Sequence, residues 1–99
     1  MVTVFIEYQI EPDKRNDFLR LQESWEEEVR IHGGLNFRFY EGVDQQYLFV
    51  EEFEVNTMEQ YQQFKSRKTA NESFSRCVKG GAAKIHIWAF QQVSDYKKE

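Results

Sequence analysis

The sequence predicts an α+β domain of order β-α-β-β-α-β, the ferredoxin-like arrangement in which one antiparallel sheet carries two helices on one face. Three observations lead there. Apolar residues alternate in four short segments, they recur at helical spacing between them, and a Gly-Gly pair follows each helical stretch.

The opening MVTVFIEYQI is rich in β-branched and aromatic residues and reads as a strand. Pro12 ends it and suits a first helical turn, where its missing N–H has no partner to lose. From Asp13 the period changes: Phe18, Leu21, Trp25 and Val29 form a stripe, and Gly33-Gly34 stops the helix. Leu35–Gly42 is a second strand, Gly42 to Gln45 a turn and Gln46–Val55 a third strand. Asn56 followed by Glu59 is a capping-box signature for a second helix, with Met58, Tyr61 and Phe64 as its stripe. Ser66 to Ser73 lacks a stripe, which predicts a break before Phe74, Cys77 and Val78. Gly80-Gly81 closes the helix and Lys84–Val93 is the fourth strand. Residues 1–93 thus form one domain, and 94–99 a polar tail. Val4-Phe5-Ile6-Glu7 echoes Leu48-Phe49-Val50-Glu51, a faint repeat consistent with two βαβ halves.

Closing the Gly42 turn with Tyr40 opposite Tyr47 assigns the faces of the sheet. Leu35, Phe37, Phe39, Leu48 and Val50 then join Val4, Ile6, Ile85, Ile87 and Ala89 under the helices. The other face carries Phe5, Glu7, Gln9, Asn36, Arg38, Tyr40, Tyr47, Phe49, Glu51, Phe53, His86, Trp88 and Phe90. Aromatics mixed with a few charges are the composition of an interface, so Phe5, Arg38, Phe49, Phe53, Trp88 and Phe90 are expected to bury against a second copy. A one-residue shift in the turn swaps the faces of these two strands relative to each other.

Nine Phe, five Tyr and two Trp in 99 residues are hard to hide in one small core, which also points to a partner or ligand. The net charge of −4 argues against nucleic acid. No apolar run is long enough to span a bilayer. The single Cys77 allows no intrachain disulfide, so the expected location is the cytoplasm.

Over residues 1–92 the chain resembles the antibiotic-biosynthesis monooxygenase (ABM) family of the dimeric α+β barrel superfamily. The carrying segments are EPDKRNDFLRL, HGGLNFRFYEG and LFVEEFEVNTMEQYQQF. The resemblance implies a dimeric α+β barrel in which two sheets face each other, and a ligand cavity in each subunit between sheet and helices. It implies a monooxygenase acting on a small aromatic or quinone-like compound without a bound cofactor. A non-catalytic ligand-binding or structural homodimer and a haem-binding protein are the alternatives. The family's haem-degrading members carry an Asn on the first strand and a Trp and a His on the second helix. The matching positions here hold Ile6 or Glu7, Phe64 and Phe74, which speaks against haem degradation.

The catalytic candidates are Glu51, Glu7 and His86. Two carboxylates close together on one face can hold a proton for acid–base work, but pairing with Arg38 and Asn36 is the more common use of such charges. His86 is a candidate base or haem ligand, and His32 a candidate haem ligand that also suits the end of its helix. Trp25, Tyr61 and Phe64 are candidates to stack on a flat ligand, against the commoner role of core residues. Cys77, with Arg76 and Lys79 nearby, reads as a small core residue more readily than as a nucleophile. No metal-ligand spacing occurs, and no cofactor is expected.

Overall fold

In the computed structural model, which describes residues 1–97, the first strand β1 spans Val2–Gln9. Its even-numbered residues Val2, Val4, Ile6 and Tyr8 are buried, the strict alternation of a half-covered strand. A 3-10 turn at Pro12–Lys14 leads into α1, Arg15–Ile31, which buries Phe18, Gln22, Trp25 and Val29. Gly33 follows with φ +93°, a conformation costly for a side chain-bearing residue. Strand β2 is Leu35–Glu41 and β3 is Leu48–Val55.

Helix α2 runs Met58–Ala70. Its capping box uses Thr57 and Gln60, one residue beyond the Asn56 and Glu59 expected from the sequence. The Thr57 hydroxyl reaches the N3 amide, and the Gln60 side chain supplies the return bond as well as Glu does. The break expected after Ser66 falls at Asn71, which caps the short α3, Glu72–Ser75, by accepting from the Phe74 amide. Strand β4 is His86–Gln91; the expected start at Lys84 is instead the end of a 3-10 turn, Ala82–Lys84. Of the polar tail, 94–97 are exposed, with the Lys97 amide donating to Ser94, while 98–99 lie outside the described residues.

The sheet is wholly antiparallel in the order β2-β3-β1-β4, with the helices on one face. This is the α+β, ferredoxin-like architecture read from the sequence. The register between β2 and β3 is not the one expected. Tyr40 faces Val50, not Tyr47, and Arg38 faces Glu52. The offset is an odd number of residues, so the two faces of β3 exchange. Phe49, Glu51, Phe53 and Val55 point under the helices, and Leu48 and Val50 lie on the open side. Phe49 and Phe53, expected in an interface, are therefore core residues, whereas Phe37, Phe39, Ile87 and Ala89 pack against the core as expected.

The exchange also shows where many of the rings go. Phe49 stacks on Phe39 at 5.3 Å and meets Phe18 at 4.9 Å; Phe53 stacks on Phe37 at 6.1 Å and meets Phe64 edge-on at 5.1 Å. Tyr8 meets Phe74 edge-on at 4.7 Å and Phe18 at 5.5 Å. Each such pair adds about 0.5–1.5 kcal/mol beyond the burial of its area. No helix among the described residues is long and apolar enough to cross a membrane.

Candidate functional site

The helix side of the sheet encloses charges that the sequence reading placed elsewhere. Glu51 is completely buried at the centre of β3. Its Oε1 accepts from Trp25 Nε1 at 2.6 Å, and its Oε2 accepts from Lys68 Nζ at 2.8 Å and from the Tyr8 hydroxyl. Three elements converge here: Tyr8 from β1, Trp25 from α1 and Lys68 from the last turns of α2. The three donors supply what a carboxylate loses on leaving water.

Lys68 is 1% exposed and reaches no water. Its ammonium lies 3.8 Å from the Phe74 ring centroid, 4.3 Å from Trp25 and 5.3 Å from Tyr8, so aromatic faces carry part of its solvation. Burial pushes the Lys68 pKa down, against the opposing pull of the Glu51 carboxylate. Burial, reinforced by the same carboxylate, holds the Tyr8 hydroxyl well above its ordinary pKa of 10.0. Gln22, 5% exposed and beside the Tyr8 hydroxyl, has a side-chain amide nitrogen with no hydrogen-bond partner. A buried unpaired N–H is uncommon and marks a group able to take an acceptor.

Of the catalytic candidates, only Glu51 belongs to this cluster. Glu51 pairs across the ladder with Ile6, and Glu7 with Val50, so the two carboxylates lie on opposite faces and cannot form a dyad. Arg38 is on the open face and is not the counter-ion of Glu51; Lys68 is. Glu7 and His86 are cross-strand partners on the open face, where they line a groove of about 790 Å³ with Gln9, Lys79 and Lys84. His86 is exposed and stacks on Trp88 at 5.8 Å. Exposed His32 caps the end of α1, its backbone amide donating to Glu28 at 3.1 Å. Trp25, Tyr61 and Phe64 are core residues; Trp25 also binds Glu51, and the Tyr61 hydroxyl reaches the Ile87 carbonyl at 3.5 Å. Burial raises the Cys77 pKa, which suits a core thiol and not a nucleophile. Among the described residues, no group of three His, Cys, Asp or Glu side chains is placed to hold a metal ion.

Tyr8, Gln22 and Lys68 were missed from sequence, yet a spacing signal exists for each. Tyr8 continues Val2, Val4 and Ile6; Gln22 lies one turn after Phe18; Lys68 continues the stripe of Tyr61 and Phe64. The open face keeps Phe5 and Phe90, in edge contact at 5.6 Å, together with Trp88 at 44% and Phe90 at 53% exposure.

No protein-family model matches the sequence, and no curated protein matches it. Solved structures do match the fold. A conserved protein from Methanosarcina mazei Go1 superposes with a TM-score of 0.77 at 18% identity, over 93% of this chain and 92% of that one. A crystal structure of an antibiotic biosynthesis monooxygenase matches with a TM-score of 0.69 at 19% identity, over 95% of this chain and all of the other (100%). Rv0793 from Mycobacterium tuberculosis matches at 0.66 and 12% identity, over 94% and 95% of the two chains.

Proposed function

From this shared fold as premise, we propose that the chain is a homodimeric monooxygenase acting on a small aromatic or quinone-like compound without a bound cofactor. The observation that carries the proposal is Glu51, a fully buried carboxylate held by Tyr8, Trp25 and Lys68. A carboxylate beside an apolar substrate can act as general base, and an adjacent ammonium favours anionic oxygen species. Glu51 takes a proton from an activated CH₂ of the substrate. The resulting carbanion passes one electron to O₂, and the radical pair joins as a C–O bond. After protonation of the peroxide the O–O bond breaks; one oxygen leaves as water with the second C–H proton, and the other remains as C=O. The substrate is the reductant, and the balance is R₂CH₂ + O₂ → R₂C=O + H₂O.

The dimer forms through the open sheet face, where Trp88, Phe90 and Phe5 supply the apolar area and Arg38 and Tyr40 the polar edge. Oxygen uptake with an anthrone or quinol tests the activity. Wild type exceeds the uncatalysed rate and Glu51→Gln does not; wild type no faster than buffer overturns the proposal.

A second reading is a homodimer that binds a ligand or serves structure without turnover. It is favoured by the bonding of Glu51, whose two oxygens both find partners within the chain. A haem-binding role would rest on His86 or His32, and haem titration without a shifted Soret band removes it.

A further inference from the structure

We propose that the groove at the Gln9 end of the open sheet face is a binding site for a phosphate monoester. It lies on the opposite side of the sheet from Glu51, so its occupancy is separate from the proposed oxygenation. Trp88 and Phe90 sit further along β4 and do not line it. A volume of about 790 Å³ suits a small organic molecule and is far more than a bare anion fills.

The groove is assembled from separate parts of the chain. Glu7 and Gln9 come from the end of β1, Leu48 from the start of β3 and His86 from the start of β4. Lys79 and Lys84 come from the connection that precedes β4. Backbone hydrogen bonds tie this connection to the sheet: the Lys79 amide donates to the Gln9 carbonyl at 2.8 Å, and the Glu11 amide to the Cys77 carbonyl at 2.9 Å. Lys84 is seated by a glycine. Its stem crosses Gly80, where an added Cβ would stand 2.5 Å from Lys84 Cγ, and Gly80 itself takes φ +83°.

The charges select the ligand. In a chain of net charge −4, two ammoniums and an imidazole line this groove against a single carboxylate, Glu7. Among the described residues, none of these four groups takes part in an ion pair; every pair lies elsewhere. Cationic groups gathered in a concave site without internal counter-charges attract an anion. The groove holds no arginine, so the flat two-point grip that suits a carboxylate is missing. Two ammoniums acting as point charges instead match a phosphate monoester, which carries about −1.5 to −2 at neutral pH. The imidazole N–H of His86 adds a donor to the phosphate oxygens. Glu7, across the ladder from His86, and Gln9 are left to bind polar groups of the organic part, which rests on Leu48.

The test is a titration of the full chain near neutral pH with phenyl phosphate, inorganic phosphate and benzoate in turn, followed by amide proton–nitrogen correlation NMR. Phenyl phosphate should shift the amides of Lys79, Gly80 and Lys84 to saturation. It should bind about fivefold or more tightly than benzoate, which has the ring but one charge fewer, and than inorganic phosphate, which has the charge but no organic part. Lys79→Gln combined with Lys84→Gln keeps most of both exposed stems, and should weaken phenyl phosphate about tenfold while the rest of the spectrum is retained. Lys65→Gln, on α2, should leave binding unchanged. Phenyl phosphate that shifts no amide of this groove, or that binds the double variant as tightly as wild type, overturns the proposal. Inorganic phosphate binding as tightly as phenyl phosphate overturns the ester, and benzoate binding as tightly overturns the phosphate.

Discussion

Replacing Glu51 by Gln preserves the size of the side chain but removes its charge and turns one of its two accepting oxygens into an amide donor. The consequence follows from its surroundings. Lys68 is 1% exposed and its carboxylate partner lies at 2.8 Å, so the variant leaves an ammonium enclosed by Phe74, Trp25 and Tyr8 with no counter-charge. Breaking a buried pair from one side costs about 3–5 kcal/mol, mostly from the charge left behind. A domain of this size melts about 4–8 °C lower for each kcal/mol lost, so the midpoint should fall by at least roughly 12 °C. Thermal unfolding followed by circular dichroism, with urea titration as a second measure, gives the value. The double variant Glu51→Gln with Lys68→Met removes the stranded charge and should recover at least half of the loss. A single-variant shift under about 4 °C, less than 1 kcal/mol, or a double variant no better than the single, refutes the reasoning.

Trp88→Asp places a charge on the open face and should yield a folded monomer by light scattering, while Phe49→Asp should not fold at all because Phe49 is buried in the core. A wild type that is monomeric at micromolar concentration refutes the proposed dimer. Glu41 accepts from Arg15 at 2.5 Å, which holds its pKa below the ordinary value of 4.5. Its contribution is therefore present above that value and lost as pH falls through the lowered one; Glu41→Gln should flatten this part of the acid limb in a pH series of urea midpoints. Gly34→Ala would set a Cβ 2.4 Å from Val29 Cγ1 and 2.9 Å from the Val29 carbonyl, and should cost about 1–3 kcal/mol in urea unfolding.

The order of elements was legible because each has its own local signal: the parity of β1, the stripe of Phe18, Trp25 and Val29, the glycines after the helices. The faces of β3 were not, because they were inferred through a turn. The residues between β2 and β3 form a longer loop than the turn assumed, in which Tyr47 adopts φ +68° and the Glu41 carboxylate accepts its amide at 3.1 Å. No propensity reveals such a register. The strand itself held better information. Phe49, Phe53 and Val55 share one parity, and Glu52 and Glu54 the other. The echo of Val4–Glu7 in Leu48–Glu51 does not extend to the faces, since Ile6 and not Glu7 lies beside Glu51. Glu51 was singled out from the sequence, but its setting was misplaced: it lies under the helices and pairs with Lys68, not on the open face with Arg38. Lys68 was passed over because a lysine on an apolar stripe looks like the stripe's end.

The irregularity in β2 bears on how the molecule keeps to itself. β2 is an edge of the sheet, and its pairing with β3 shifts between Leu35 and Arg38, where Asn36 adopts φ +56°. A bulge at an edge bends the strand and interrupts its row of outward amides and carbonyls. Only the four residues Arg38–Glu41 continue in regular register beyond it. Another chain seeking to add a strand there finds a template too short and too twisted to extend. At this edge, further backbone pairing is thereby discouraged, and contacts are left to side chains.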